Sequence, residues 1–270
     1  MNPNPPAKIT LRHLHPYCVK VREYPVNGEV LKMVQIKGGP FQMGDEYGDL
    51  WKACRPKHEV NVPDFELGQI LVTQGLWRAV MGTDPSHLAF REDNRPVEGV
   101  SWDDIVKGTK EQAAFLDQLN AIEEIKQRNT TQRKRFRLPT EAQWEYAARG
   151  GRFAVFHTNK YGGSNHLREV AWYDDNSHSS TVAVGRKRPN AQGLYDMSGN
   201  VYEWCADAWS DNYDQAPRDG SAYEEKEQTR RVVRGGSWNY YDPDNCRVAS
   251  RYWNFTGYRN VNIGFRLSRC

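Results

Sequence analysis

The chain has 270 residues, a formal net charge of +3 and a mean hydropathy of −0.84. That length holds one large domain or two small ones, and the near-balanced charge gives no strong attraction to nucleic acid or to a membrane surface. No apolar run is long enough to form a transmembrane helix.

The opening "MNPNPPAKITLRHLHPYCVK" lacks the apolar segment and small-residue cleavage site of a secretory signal. A cytoplasmic location is therefore expected for the chain in the form given, with display on a surface or phage particle left open. Residues 1–30 are polar, with prolines at the start, and read as an N-terminal extension or edge segment; the main domain is expected over 31–270. "LKMVQIKGGPFQMG" (31–44) alternates apolar and polar residues before meeting Gly38-Gly39-Pro40, which reads as a β-hairpin. "HEVNVPDFELGQILVT" (58–73) adds short strands, with Pro63 confined to an edge or an end.

Three helices follow. Thr73 can cap "QGLWRAVMG", which Gly82 ends. Ser101 with Asp104 forms a capping-box pattern before "WDDIVKGTKEQAAFLDQLN", and Gly108 kinks or splits that helix. Thr140 with Gln143 caps "EAQWEYAAR", stopped by Gly150 and Gly151, with Trp144, Ala147 and Ala148 as its apolar face. The charged run 121–135 reads as a helix tail and solvated loop. Beyond residue 151 only short strands are expected, between Gly, Asn, Asp and Pro clusters. The predicted fold class is α+β with much irregular structure. Nine tryptophans, many beside Gly, Asn or Asp, suggest that large rings fill the space left by regular elements.

No pattern for chemistry stands out. Cys18, Cys54, Cys205, Cys246 and Cys270 are widely spaced, without a C-x-x-C pair, and read as reduced thiols. Of the seven histidines only His13 and His15 are close in sequence, and there is no H-E-x-x-H or nucleophile elbow.

Six pieces in order, "MVQIKGGPFQMG", "HEVNVPDFELGQILVTQGLWRAVMG", "NRPVEGVSWDDIV", "RFRLPTEAQWEYAARGG", "GLYDMSGNVYEW" and "RVVRGGSW…CRVASR…NIGFRL", resemble the formylglycine-generating enzyme (sulfatase-modifying factor) domain. The resemblance covers about residues 31–268 and implies a C-type lectin-like fold. It does not by itself settle activity, because this family includes copper oxidases, iron enzymes and binding proteins without chemistry. In the oxidase, cysteines at the third and eighth positions after the Gly-Gly-Ser motif hold copper(I), which needs soft thiolates. Here those positions are Tyr240 and Asn245, and Cys246 stands alone. No catalytic residue and no required cofactor are therefore assigned. Relatives of the fold carry structural calcium near the segment that here reads "MSGNVYEW". Asn200 and Glu203 are the candidate ligands, with "WYDDNS" (172–177) as a second set of oxygens.

The end of the chain resembles, more narrowly, the variable region of diversity-generating retroelement proteins. In such systems a reverse transcriptase copies a template repeat, mutates its adenines and overwrites the end of the target gene. The resemblance implies a framework of Trp238, Cys246, Arg247, Val248, Ala249, Arg251, Arg259, Ile263, Gly264, Phe265 and Arg266 within a variable region of about 238–266. It implies a ligand-binding surface of Asn239, Tyr240, Tyr241, Asp244, Ser250, Tyr252, Trp253, Asn254, Phe255, Tyr258, Asn260 and Asn262. Trp253 departs from the pattern, since AAC and AAT codons do not reach TGG by adenine changes alone. Thr256-Gly257 departs too, where Pro-Asp or Pro-Glu is expected.

The composition has a physical rationale. Tyr and Trp act as rigid amphipathic anchors, and Asn, Ser and Gly add adaptable hydrogen bonds. Trp238 and Phe265 are expected in the core, the remaining rings of 240–258 outside. Arg247, Arg251 and Arg259 are expected to brace the loops by donating to their carbonyls. The function expected is non-enzymatic binding of a macromolecule such as a protein, with neither nucleic acid nor membrane as partner. The competing readings are an oxidase of the formylglycine-generating type and a subunit that binds one fixed partner.

Overall fold

The structure is a computed structural model that describes residues 9–11, 19–45, 47–85, 88–126, 134–156 and 159–270. β1 (Ile9–Leu11) pairs with β2 (Lys20–Val26), and β2 pairs with β3 (Glu29–Ile36) across Asn27-Gly28. Both turn residues have positive φ, 45° and 94°, the requirement that makes Asn-Gly the favoured two-residue hairpin turn. The expected boundary at residue 31 is therefore corrected, because it falls inside β3 and the preceding strand belongs to the same sheet.

β4 (Gly39–Met43) pairs with β5 (His58–Val62), so the hairpin expected over 31–44 is absent. The alternation is real, but β3 and β4 belong to different sheets. The chain crosses between them at Gly38, where an added Cβ would lie 2.1 Å from the Val62 carbonyl oxygen. Pro63 follows the end of β5, as expected, and β6 (Phe65–Gly68) joins β3.

The helix signals hold. Thr73 Oγ1 accepts from Leu76 N–H at 3.1 Å to start α1 (Gln74–Met81). The Ser101–Asp104 capping box starts α2 (Trp102–Val106), and Gly108, at φ 72°, separates it from α3 (Phe115–Lys126). After β7 (Phe136–Arg137), the Thr140–Gln143 box starts α4 (Glu141–Ala148). All eight residues of α4 are buried. Its Trp144, Ala147 and Ala148 are thus one side of an enclosed helix, not the apolar face of an amphipathic one.

Short elements complete the chain: α5 (Leu167–Val170), β8 (Ala171–Trp172), β9 (Ser198–Gly199), β10 (Tyr202–Ala208), β11 (Arg230–Arg234), β12 (Arg251–Phe255), β13 (Ile263–Gly264) and β14 (Ser268–Arg269). The larger sheet runs β1-β2-β3-β6-β14-β7, and the smaller runs β12-β11-β10-β13. The α+β class with few helices and short strands is as expected. Aromatics fill both main cores: Trp77, Phe115 and Phe265 contact one another in one, and Trp144, Tyr146, Trp209 and Tyr213 belong to the other. Among the described residues, no helix is long and apolar enough to cross a membrane.

Candidate ligand-binding surface

β12 is the edge strand of the smaller sheet, so its outer side and the loops around it are open to solvent. Strand alternation decides what each residue does. Trp253 packs on the core that holds Trp144, whereas Tyr252 turns to the other face, where its ring lies 6.4 Å from Tyr202 and 6.4 Å from Trp51. The loop before β12 brings Tyr240 edge-on to Tyr202 at 5.4 Å. Between loop and strand lies a cleft of about 810 Å³. Tyr240, Tyr241, Tyr252, Trp253, Asn254, Phe255 and Tyr258 line it, joined by Trp51, Ala53 and Trp209. The outer rings are wet: Tyr241 is 81% exposed and Phe255 54%.

The twelve residues expected on this surface divide by burial. Asn239, Tyr241, Tyr252, Phe255 and Tyr258 are exposed, and Tyr240, Asp244, Trp253, Asn254 and Asn260 are half-buried. Ser250 and Asn262 are corrected, being only 3% and 7% exposed. Ser250 Oγ donates to the Asp244 carbonyl, and Asn262 Nδ2 donates to Asn239 Oδ1 at 3.0 Å. Both tie loops together from within. Asn239, Asp244 and Asn260 lie outside the cleft lining. Trp51 and Trp209 line it but were not expected there. They come from distant sequence, and no local signal marks them. Phe265 is fully buried as expected, whereas Trp238 is only half-buried, held by Phe90 at 5.5 Å and by its indole N–H to the Val261 carbonyl at 3.1 Å.

Beneath the cleft is a frame of paired charges. Arg251 grips Glu141 with two hydrogen bonds of 2.8 and 2.7 Å, lies between the Trp209 and Tyr213 rings, and donates to the Ala53 and Ser210 carbonyls at 3.0 Å each. Arg234 binds Glu145 and the Val248 and Ala249 carbonyls. Arg247 pairs with Asp49 at 2.7 Å and Asp244 at 3.4 Å. Arg259 grips Asp104 at 2.8 and 2.5 Å. The bracing expected of Arg247, Arg251 and Arg259 is corrected in kind: their main partners are carboxylates, with carbonyls second for Arg251 and Arg259. A planar guanidinium matches a carboxylate with two parallel bonds. Burial works to raise the Asp104 carboxyl, but the Arg259 guanidinium and the Ser101 hydrogen bonds together outweigh it and hold the group below its usual value. Asp207, buried where it accepts from the Glu141 N–H, is pushed up to about 7, first by burial and then by the neighbouring Glu141.

The residues present do not fit the metals considered. Tyr240 and Asn245, at the oxidase's copper positions, flank Tyr202, whose hydroxyl donates to Asn245 Oδ1 at 3.3 Å. Neither supplies a thiolate. Cys246 is buried with Tyr161, Leu167, Val170, Ala171 and Tyr173, and burial pushes its thiol to about 12. The calcium ligands also disagree with the structure. Asn200 Oδ1 accepts from Val182 N–H at 3.1 Å and its Nδ2 donates to the Val182 carbonyl at 2.9 Å. Glu203 accepts from Trp144 Nε1 at 2.9 Å and from Arg266 at 2.5 and 2.7 Å. In "WYDDNS", Asn176 bonds the backbone of Tyr173 and Ala171. Among the described residues, no group of three or more His, Cys, Asp or Glu side chains could hold a metal. His13, His15 and Cys18 lie outside the described residues. Of the described cysteines, Cys54, Cys205 and Cys246 are buried and free, and Cys270 is exposed and free.

Fold and surface define a C-type lectin-like domain of mixed α+β structure with an aromatic cleft at one sheet edge. The chain belongs to the sulfatase-modifying factor enzyme 1-like domain family, which matches residues 20–270 and so begins at β2. Among solved structures it is similar to Treponema denticola variable protein 1, with 31% identity, a TM-score of 0.74, and coverage of 91% of this chain and 97% of that one. It is 30% identical to the formylglycine-generating enzyme of Streptomyces coelicolor, covering 87% of this chain and 88% of that enzyme. It is 33% identical to the chaperone protein LppX of Paenibacillus barcinonensis, over 76% and 78% of the two chains.

Proposed function

We propose that this protein is a non-enzymatic binder whose C-terminal surface is diversified by a retroelement and takes a macromolecular ligand, a protein foremost. The observation that carries the reading is the separation of roles within 238–266. Exposed rings of the cleft stand on buried, paired arginines, so the residues that would touch a ligand are not those that hold the fold. Exposed aromatic surface of this kind marks interaction sites, and the similarity to a variable protein supports the assignment. Trp253, which the adenine pattern does not reach, is partly inside and lies beneath the Arg230 guanidinium at 5.0 Å, as a fixed residue would. The binding reading needs no cofactor and has neither nucleic acid nor membrane as partner.

Sequencing the DNA around the gene tests this. The expected result is a near-copy of the segment for residues 238–266 that differs almost only at adenines, beside a reverse-transcriptase gene. Absence of the copy from the complete genome overturns diversification and leaves one fixed partner. The oxidase reading, favoured by the similarity to a formylglycine-generating enzyme, predicts a tight stoichiometric copper(I) site. Titration with a copper(I) chelator competitor is expected to find none, because Tyr240 and Asn245 are not soft donors.

A further inference from the structure

The larger sheet carries a second cavity, of about 430 Å³, that shares no lining residue with the aromatic cleft. Lys20 and Arg22 of β2, Lys37 just past β3, Lys134 and Arg152 line it. Its two carboxylates are Asp64 and Glu66. The cavity thus holds an excess of three positive charges, as large as the net charge of the whole chain.

Both carboxylates are already engaged. Asp64 accepts from Lys37 Nζ at 2.7 Å and from Gly38 N–H at 3.0 Å. Glu66 is buried and receives Arg22 at 2.8 Å and the Tyr24 hydroxyl at 2.7 Å, with Arg269 at 3.6 Å. Among the described residues no salt bridge holds Lys20 or Lys134, although the Lys134 charge helps Lys37 and the Gly38 N–H to lower the Asp64 carboxyl, and Arg152 lies over the Phe153 ring at 5.1 Å. Charges around so small a volume sit within about one Debye length of a shared centre, ~10 Å at 0.1 M salt. Their mutual repulsion is relieved by an anion, and low-dielectric walls focus the field on it. Arg22 is also held in place by Glu66 and Tyr24, so its guanidinium does not have to be ordered on binding.

We infer that this hollow binds a compact anion carrying a diphosphate group. A single phosphate carries about −1.5 to −2 and leaves part of the excess of three unmatched, whereas two linked phosphates carry enough charge to match it.

The test is calorimetric titration of the full chain with inorganic pyrophosphate, inorganic phosphate and ADP at low ionic strength. Saturable binding of one pyrophosphate per chain is expected, tighter than phosphate, and weakened about tenfold or more by the double reversal Lys20→Glu with Lys134→Glu. The milder Lys20→Gln with Lys134→Gln should lose affinity in the same direction by less. Circular dichroism of each variant separates lost charge from lost fold. Tyr252→Ala, in the aromatic cleft, should leave pyrophosphate binding unchanged. ADP binding tighter than pyrophosphate assigns a nucleotide ester as the source of the diphosphate; equal binding assigns the free anion. No saturation, or affinity that survives charge reversal in a folded variant, overturns the site.

Discussion

Helix α4 and the stretch 239–258 reverse the usual placement of residues. In α4 the carboxylates Glu141 and Glu145 are inside the protein, whereas Tyr241, Tyr252, Phe255 and Tyr258 stand in solvent. The two regions are joined by Arg251 and Arg234, which run from the smaller sheet into the α4 carboxylates. The difference teaches where this fold keeps its specificity. Directional, buried ion pairs fix the backbone of the loops, so the rings above them are free of that duty. In a conventional domain the aromatic residues of such a stretch would themselves be the core.

The sharpest way to break this comparison is to remove one partner of the frame. Arg234→Ala takes from the buried Glu145 and Glu141 the cation they share, leaving Arg149 on the first and Arg251 on the second. Breaking a buried pair on one side costs about 3–5 kcal/mol, so a large fall in the urea midpoint is expected. A shift below about 1 kcal/mol would mean that water reaches these carboxylates and that the frame is not what holds the loops.

Much of this was legible in the sequence, and the rest failed for identifiable reasons. Capping boxes at Ser101 and Thr140 are local chemistry and were readable. So many rings in an irregular segment cannot all be buried, and the five Tyr and Phe residues of 240–258 do line the open cleft, whereas Trp253, expected outside with them, packs half-buried on the core. What failed depends on long-range partners. The alternation of 31–44 marks two strands but not which strands they pair with. Burial of Ser250 and Asn262 follows from contacts to Asp244 and Asn239 that loop closure creates. Glu203 looked like a calcium ligand because sequence does not show that Arg266 lies against it. One local signal was overlooked: Asn27-Gly28, between alternating residues, marks the hairpin that moves the domain start upstream.

A smaller effect comes from pH. Asp207 is raised to about 7 and Asp196 to about 6, each mainly by burial. A carboxyl whose folded value lies above its unfolded value favours folding most when protonated. Its contribution is complete below the unfolded value of about 3.8 and is lost as pH rises through about 6 for Asp196 and about 7 for Asp207. Stability measured by urea unfolding should therefore decline from pH 5 to pH 8, by at most about 1.4 kcal/mol per pH unit for each group. Asp207→Asn should flatten the upper part of that slope. It retains one acceptor for the Tyr223 or Glu141 N–H groups that Asp207 now serves. An unchanged slope in Asp207→Asn would assign the titration elsewhere.

The smallest expected effect sharpens the comparison most. Tyr241 is the most exposed large ring among the described residues, at 81%. Tyr241→Ala should change stability by no more than about 0.5 kcal/mol, the range of ordinary surface substitutions. Trp253, two residues beyond Arg251 and on the same face of β12, packs against the core and the Arg230 guanidinium. Trp253→Ala should cost more, about 1–3 kcal/mol, because a half-buried indole loses apolar contact and leaves a hollow. Urea unfolding of the two variants in parallel measures the difference. If both are silent, the frame alone holds the strand and Trp253 belongs with the exchangeable rings. If both are costly, the exposed rings contribute to folding and the surface cannot vary freely. A silent Tyr241 beside a costly Trp253 draws the boundary between frame and surface through β12 itself, residue by residue.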